Sequence, residues 1–285
     1  MPAMKGNNQA RAEDVGNITL LEHVNVRQPD QLLATLFYIV GLGFTRDPYM
    51  TVGLNNMWVN VGDQQFHLPT GEPQVLRGHT GLVVRDLNAL KERLSSVENQ
   101  LRGTKFAWQD KGDYVDVTCP WGNHYRLYGP GTAGMTLGMP YVEFTVPAGA
   151  PASIQRFYQQ VFGAPASLEK NGKGSAAVVE VGINQRLIFR EGKDIPDYDG
   201  HHIAVYVSNF SGPYEFLEER KLISEGIRNH QFRFTDIIDP DTGKTVFSVE
   251  HEVRSTRHPL YRRPLVNREP ENPPMIIPPR MPAPA

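Results

Sequence analysis

Two short stretches place an imidazole where it can act. "GHTGLVV" runs from Gly78 to Val84 and "GHHIAVYV" from Gly200 to Val207, and each opens an alternating apolar stretch with Gly-His. Imidazole is the side chain whose ordinary pKa puts its charge change near neutral pH, and it is the commonest metal ligand. Alternation along a strand aims every second side chain at one face. A lone histidine on a half-buried strand is ordinarily a hydrogen-bonded core group, so placement has to decide between the two roles. Other chemistry is poorly supplied. The single cysteine, Cys119, has no helix N-terminus or basic cluster beside it in sequence, so it reads as a small residue near a strand-entry turn. No G-x-S-x-G motif and no glycine-rich nucleotide fingerprint occurs.

The elements that carry these histidines repeat. Residues 21–27, "LEHVNVR", alternate, and "QLLATLFYIVGLGF" after Pro29-Asp30 has helical spacing that stops at Gly41 and Gly43. Residues 139–146, "MPYVEFTV", alternate in the same way and precede the helix "SIQRFYQQVFGAP". "MWVNVGDQQFHLPTG" (57–71) and "AAVVEVGINQRLIFREG" (176–192) each read as two strands around a glycine turn. Each Gly-His strand is followed by a helix, "DLNALKERLSSVENQL" (86–101) or "SGPYEFLEERKL" (211–222). A hairpin closes each, "YVDVTCPWGNHYRLYG" (114–129) or "FTDIIDPDTGKTVFSVEHEV" (234–253). The chain therefore holds four strand–helix–strand–strand–strand units, near 18–72, 77–130, 138–192 and 199–254.

One unit cannot bury its sheet alone, so units are expected to pair. The expectation is an N-terminal domain of units 1 and 2 (18–130) and a C-terminal domain of units 3 and 4 (138–254). They follow an N-terminal extension (1–17) and are joined by the glycine-rich "GPGTAGMTLG". Residues 255–285 are a Pro- and Arg-rich tail, its last part expected to be extended or disordered. Arg254, Arg257, Arg262 and Arg263 suit either an anionic partner or packing over the chain's own domain.

Composition narrows the function classes. Of 285 residues, 40% are hydrophobic and 21% charged, as in an ordinary globular protein. The net charge of −2 gives no footprint for nucleic acid. Apolar runs fall short of the ~18 residues that span a membrane. The polar N-terminus shows no secretory signal, and one cysteine allows no internal disulfide, so a cytoplasmic location is expected. The partner is a small molecule, and a homo-oligomer is compatible with the sequence.

The unit order, "FYIVGLGF", "GHTGLVVRDLNALKERL" and "DPDTGKTVFSVE" resemble the vicinal oxygen chelate superfamily over about residues 18–254. That superfamily includes glyoxalase I, the bleomycin and fosfomycin resistance proteins and the type I extradiol dioxygenases. The resemblance implies an α+β fold in which tandem βαβββ modules pair into two half-open barrel domains. It implies a divalent metal held from the first and last strands of two paired modules. Matched position by position, the N-terminal site would use His23, His67 and His79. Arg126 stands where relatives usually have Glu, and His124 lies two residues before it. At the C-terminal site the matched positions are Tyr141, Leu187, His202 and Glu250. His202 and Glu250 fit two of three ligands, and Tyr141 stands where the first histidine is expected, with Glu143 as its substitute. Leu187 is not needed as a ligand, Glu252 rivals Glu250, and His230 is an acid–base candidate. His201 is expected to face away. His124 and Arg126 are the catalytic candidates of the N-terminal site.

Three functions follow from the resemblance. The first is an extradiol-dioxygenase-like oxidoreductase using Fe(II) on an aromatic diol or other vicinal-oxygen compound. Tyr141, in place of a histidine, departs from that pattern. The second is a glyoxalase-like lyase or isomerase using a three-histidine site, with Mn, Zn or Ni as well suited. The third is a non-catalytic binding protein of the resistance type, its pocket lined by Trp58, Trp108, Trp121 and Tyr114.

Overall fold

A computed structural model describes residues 14–50, 55–172 and 174–269. Most of the expected N-terminal extension and the last sixteen tail residues (270–285) lie outside the described residues. Each unit forms the elements its sequence spells. Module 1 comprises β1 (Ile18–Asn25), a helix, β2 (Thr45–Arg46), β3 (Asn56–Val61) and β4 (Gln64–Pro69). Its helix α1 (Gln31–Ala34) widens over Thr35–Gly41, where Leu42 N–H donates to Phe37 O, five residues back. Module 2 comprises β5 (Gly78–Val83), α2 (Leu87–Val97), β6 (Ala107–Asp110), β7 (Val115–Thr118) and β8 (His124–Tyr128). Module 3 comprises β9 (Gly138–Val146), α3 (Ala150–Phe162), β10 (Ala166–Asn171), β11 (Gly174–Glu180) and β12 (Arg186–Glu191). Module 4 comprises β13 (His202–Val207), α4 (Ser211–Glu219), β14 (Ile223–Arg228), β15 (Gln231–Ile238) and β16 (Thr245–Ser255).

The modules pair differently from the expectation. The strands form two open eight-stranded sheets, β14-β15-β16-β13-β1-β4-β3-β2 and β10-β11-β12-β9-β5-β8-β7-β6. Module 1 thus shares a sheet with module 4, and module 2 with module 3; modules 1 and 2, expected to form one domain, lie in different sheets. Within each module the first strand runs parallel to the last, and modules join through antiparallel pairing of first strands, β1 with β13 and β5 with β9. All four first strands are equivalent edges needing a partner, and the repeat does not say which meet. Small residues select the junction of β5 with β9. A Cβ on Gly78, whose φ is +148°, would lie 1.9 Å from Glu143 O, and one on Gly81 would lie 2.1 Å from the Tyr141 ring. The glycine of the first Gly-His pair therefore admits the neighbouring module.

The helices fill the space between the sheets. Helix α3 packs on β10, β11 and β12 of one sheet and on β15 and β16 of the other. It buries Ile154, Phe157, Tyr158 and Phe162 there. Its left-handed stop at Gly163 (φ +58°) is where the sequence places it. Each sheet thereby turns one face to the helices and leaves the other for polar side chains. Residues 256–269 fold back over modules 1 and 4. Tyr261 packs on Tyr206, Arg263 pairs with Asp47 at 2.8 Å, and Asn267 hydrogen-bonds Gly62 N–H and O. Among the described residues no helix is long and apolar enough to cross a membrane.

Candidate metal centre

Strands β4, β1 and β13 lie side by side in the sheet of modules 1 and 4. Asn25 sits between His67 and His202 in register, and His23 pairs with Ala204 and Gln65. This brings His23, His67 and His202 together, with one candidate ligand atom from each within 4.8 Å of the others. His23 Nε2 and His202 Nε2 face each other at 3.4 Å, both rings buried. His67 Nε2 is buried without a hydrogen-bond partner, while its Nδ1 lies 2.6 Å from the Asn25 amide. The Trp58 indole stacks on His67 with centroids 3.9 Å apart and fixes its plane.

His23 is held from behind by its own neighbour. The Glu22 carboxylate accepts from His23 Nδ1, which leaves Nε2 with its lone pair toward the cluster. In a regular strand Glu22 and His23 would face opposite ways. Here the β1–β13 register slips between Leu21 and His23, and this bulge lets the two side chains meet.

A ladder of charges runs from Glu22 to Glu250. Arg254 donates to Glu22 at 2.9 Å and to Glu252 at 2.5 Å. Arg233 bonds Glu252 and, at 2.6 Å, Glu250. Glu250 Oε1 stands 3.4 Å from His202 Nδ1, and Glu252 Oε2 stands 3.8 Å from His202 Nε2. Burial pushes the Glu22 carboxyl up, but His23 and Arg254 outweigh it and hold it down at about 2. Glu252 is likewise held down, by Arg254, His23 and Arg233 against burial. Burial, then the neighbouring His23 and Arg254, depresses His67 to about 2, and burial first of all holds His202 well below the ordinary imidazole range. Both imidazoles are therefore neutral near pH 7, as ligation requires.

The residues fit a divalent cation. A metal–imidazole bond of about 2.1 Å allows ligating nitrogens at most ~4.2 Å apart. The His23–His202 pair meets this, and the set as a whole, within 4.8 Å, stands close to it. With the Asn25 amide turned so that its oxygen accepts from His67 Nδ1–H, Nε2 keeps its lone pair, and this orphaned nitrogen and the carboxylate behind His23 are features a cation would account for.

The two expected four-residue sets are exchanged by the module pairing. His23, His67, His202 and Glu250 share one sheet; His79, Arg126, Tyr141 and Leu187 share the other. His79 Nε2 lies 3.1 Å from Tyr141 OH, not beside His23 and His67. Leu187 is fully buried in the core. His124 is exposed and bonds Thr118 Oγ1 at 3.1 Å. His230 occupies the exposed turn between β14 and β15. These two candidate acid–base groups therefore lie outside the histidine cluster. His201 faces away, its Nδ1 bonded to Asp199 at 2.6 Å. Sequence reasoning missed Glu22, Asn25 and Arg233, and placed Arg254 with the tail. Arg254 continues the alternation Glu250, Glu252, Arg254 on one face of β16 and was findable that way. Nothing in the sequence signals the bulge that delivers Glu22.

No family model matches the chain, and no curated protein matches it. Solved structures do. A putative dioxygenase from Bacillus subtilis subsp. subtilis str. 168 superposes with a TM-score of 0.55 at 14% identity, over 86% of each chain. Glyoxalase I from Zea mays gives a TM-score of 0.56 at 12% identity, over 82% of this chain and 91% of that one. At such identities the likeness is one of fold.

Proposed function

From a chain that has the vicinal oxygen chelate fold, we propose a divalent-metal-dependent enzyme of the ring-cleaving dioxygenase kind, acting on a small molecule with two neighbouring oxygens. The observation that carries the reading is the His23–His67–His202 cluster. Imidazole donors suit Fe(II) first for this chemistry, with Mn, Zn and Ni as substitutes. An ion held there would polarise the substrate's oxygens, and iron would add reactivity toward O₂.

The chain's own residues supply the rest. Glu22 keeps the proton of His23 on Nδ1 and so keeps Nε2 free to ligate. Trp58 and Asn25 hold His67 in one orientation. Three protein donors rather than four leave room for a chelating substrate together with O₂, which supports the oxygenase reading. Glu250, part-exposed beside His202, is the nearest carboxylate able to accept a proton from a substrate hydroxyl, and Arg233 fixes it there.

The test is O₂ uptake by the iron-loaded protein across a panel of catechols. Consumption of O₂ that depends on a vicinal diol and is lost in His202→Ala is expected. Absence of uptake with every diol overturns the dioxygenase reading. A second reading, an O₂-independent isomerase or lyase, is supported by the same Glu250, which would act as fourth ligand or enolising base. Anaerobic turnover of a 2-oxoaldehyde–thiol adduct is its expected signature.

A further inference from the structure

The sheet of modules 2 and 3 has a polar face of its own, and it is built from different chemistry. Strands β7, β8, β5 and β9 run side by side. Asp116, Arg126, Gly81 and Tyr141 form one row across them. Gly81 contributes no side chain, and the Tyr141 ring lies over it. We propose that this face is a metal-free binding site for a small aromatic carboxylate, with Arg126 as its anion-binding group and Tyr114, Tyr128 and Tyr141 as its walls.

Arg126 is the first reason. Its guanidinium lies 5.4 Å from the Tyr114 ring centroid. Among the described residues it has no carboxylate within ion-pair distance, its strand neighbour Asp116 included. A guanidinium carries five N–H donors in a planar fork, and a half-buried one normally spends them on a carboxylate. Glu143, the other acid near it, is already paired with Arg190 at 3.2 Å. The positive charge of Arg126 is thus the least compensated on this part of the face.

Its surroundings are the second reason. Tyr141 OH lies 3.0 Å from Tyr128 OH and 3.1 Å from His79 Nε2, and Tyr141, Tyr114 and Tyr128 all lie close enough to the Arg126 guanidinium to act on it electrostatically. Tyr114 and Tyr128 rings stand with centroids 5.5 Å apart. Arg126 and all three tyrosines are half-buried, open enough to meet a ligand and fixed enough to orient it. A carboxylate fits the fork in bidentate fashion. A flat ring attached to it would lie against the tyrosine faces. A cation does not fit: His79 Nε2 is engaged with Tyr141, and a fixed positive charge stands in the row. This inference is independent of the metal centre, which lies on the other sheet.

Benzoate is the probe, titrated into metal-stripped full-length protein by calorimetry, with benzamide as the uncharged isostere. Saturable benzoate binding is expected, weakened about tenfold or more in Arg126→Gln and to a similar extent for benzamide with wild type, as loss of a charge-assisted pair would give. Tyr141→Phe, which keeps the ring and removes one hydroxyl, is expected to weaken binding by a smaller factor. His202→Ala is expected to bind benzoate as wild type does. Thermal melts of each variant show that a lost signal is not lost folding. No saturable binding by wild type, equal affinity in a folded Arg126→Gln, or loss of binding in His202→Ala each overturns the proposal.

Discussion

Glu22 and His23 are neighbours in sequence whose side chains meet on one face, and the candidate centre depends on that contact. The carboxylate orients the imidazole and also neutralises Arg254, which is itself buried. Glu22→Gln is therefore expected to weaken divalent-metal binding by roughly 10–100-fold, the usual effect of removing a carboxylate behind a ligating histidine. Competition against a chromophoric chelator measures this; an unchanged affinity would detach Glu22 from the centre. Glu22→Ala leaves Arg254 short of one of its two carboxylates and is expected to cost about 3–5 kcal/mol in chemical denaturation. Legibility at this scale was uneven. His23, His67, His202 and Glu250 could each be named as candidates, because alternation and the family's strand positions single them out. Their grouping was not, and Glu22 was invisible because a bulge breaks the alternation such reading relies on.

At the scale of elements, the Gly-His strands answer for two different needs. In β5 the glycines serve the backbone: Gly78 lets β9 approach, and Gly81 lets Tyr141 lie across the strand. Gly81→Ala is expected to destabilise the fold by roughly 1–3 kcal/mol through overpacking. The same change in a Tyr141→Ala background is expected to cost much less, since the clashing ring is gone. Urea midpoints of the four proteins give both numbers, and additive effects would contradict the contact. In β13 the histidine itself belongs to the cluster. Strands, helices and their order were legible because each unit repeats the same phrase of alternation, helix and glycine stop. The choice of partner module was not, because edge strands pair through backbone groups that every unit offers alike.

For the whole molecule, buried histidines set the response to acid. His251 donates from Nδ1 to Val249 O and accepts from Tyr158 OH at 2.6 Å, between the sheets. Burial lowers its pKa to about 4 from an unfolded value of 6.5. Above pH 6.5 both states are neutral there and nothing is lost. Below it the unfolded chain takes up the proton first, so stability falls as pH drops from 6.5 toward 4, by about 3 kcal/mol from this residue alone. His67 and His202 are depressed in the same direction and add to the loss. Urea denaturation of metal-free protein at pH 7.5, 6 and 5 is expected to show steadily lower stability, and a rise toward pH 5 would contradict the buried neutral state.

The most direct test of the central claim, that modules 1 and 4 together build a metal centre, is metal content after reconstitution and desalting. Wild type and His79→Ala are expected to retain about one divalent ion per chain, and His23→Ala, His67→Ala and His202→Ala to lose most of it. Metal retained in His202→Ala, or lost in His79→Ala, would place the centre elsewhere and contradict the claim.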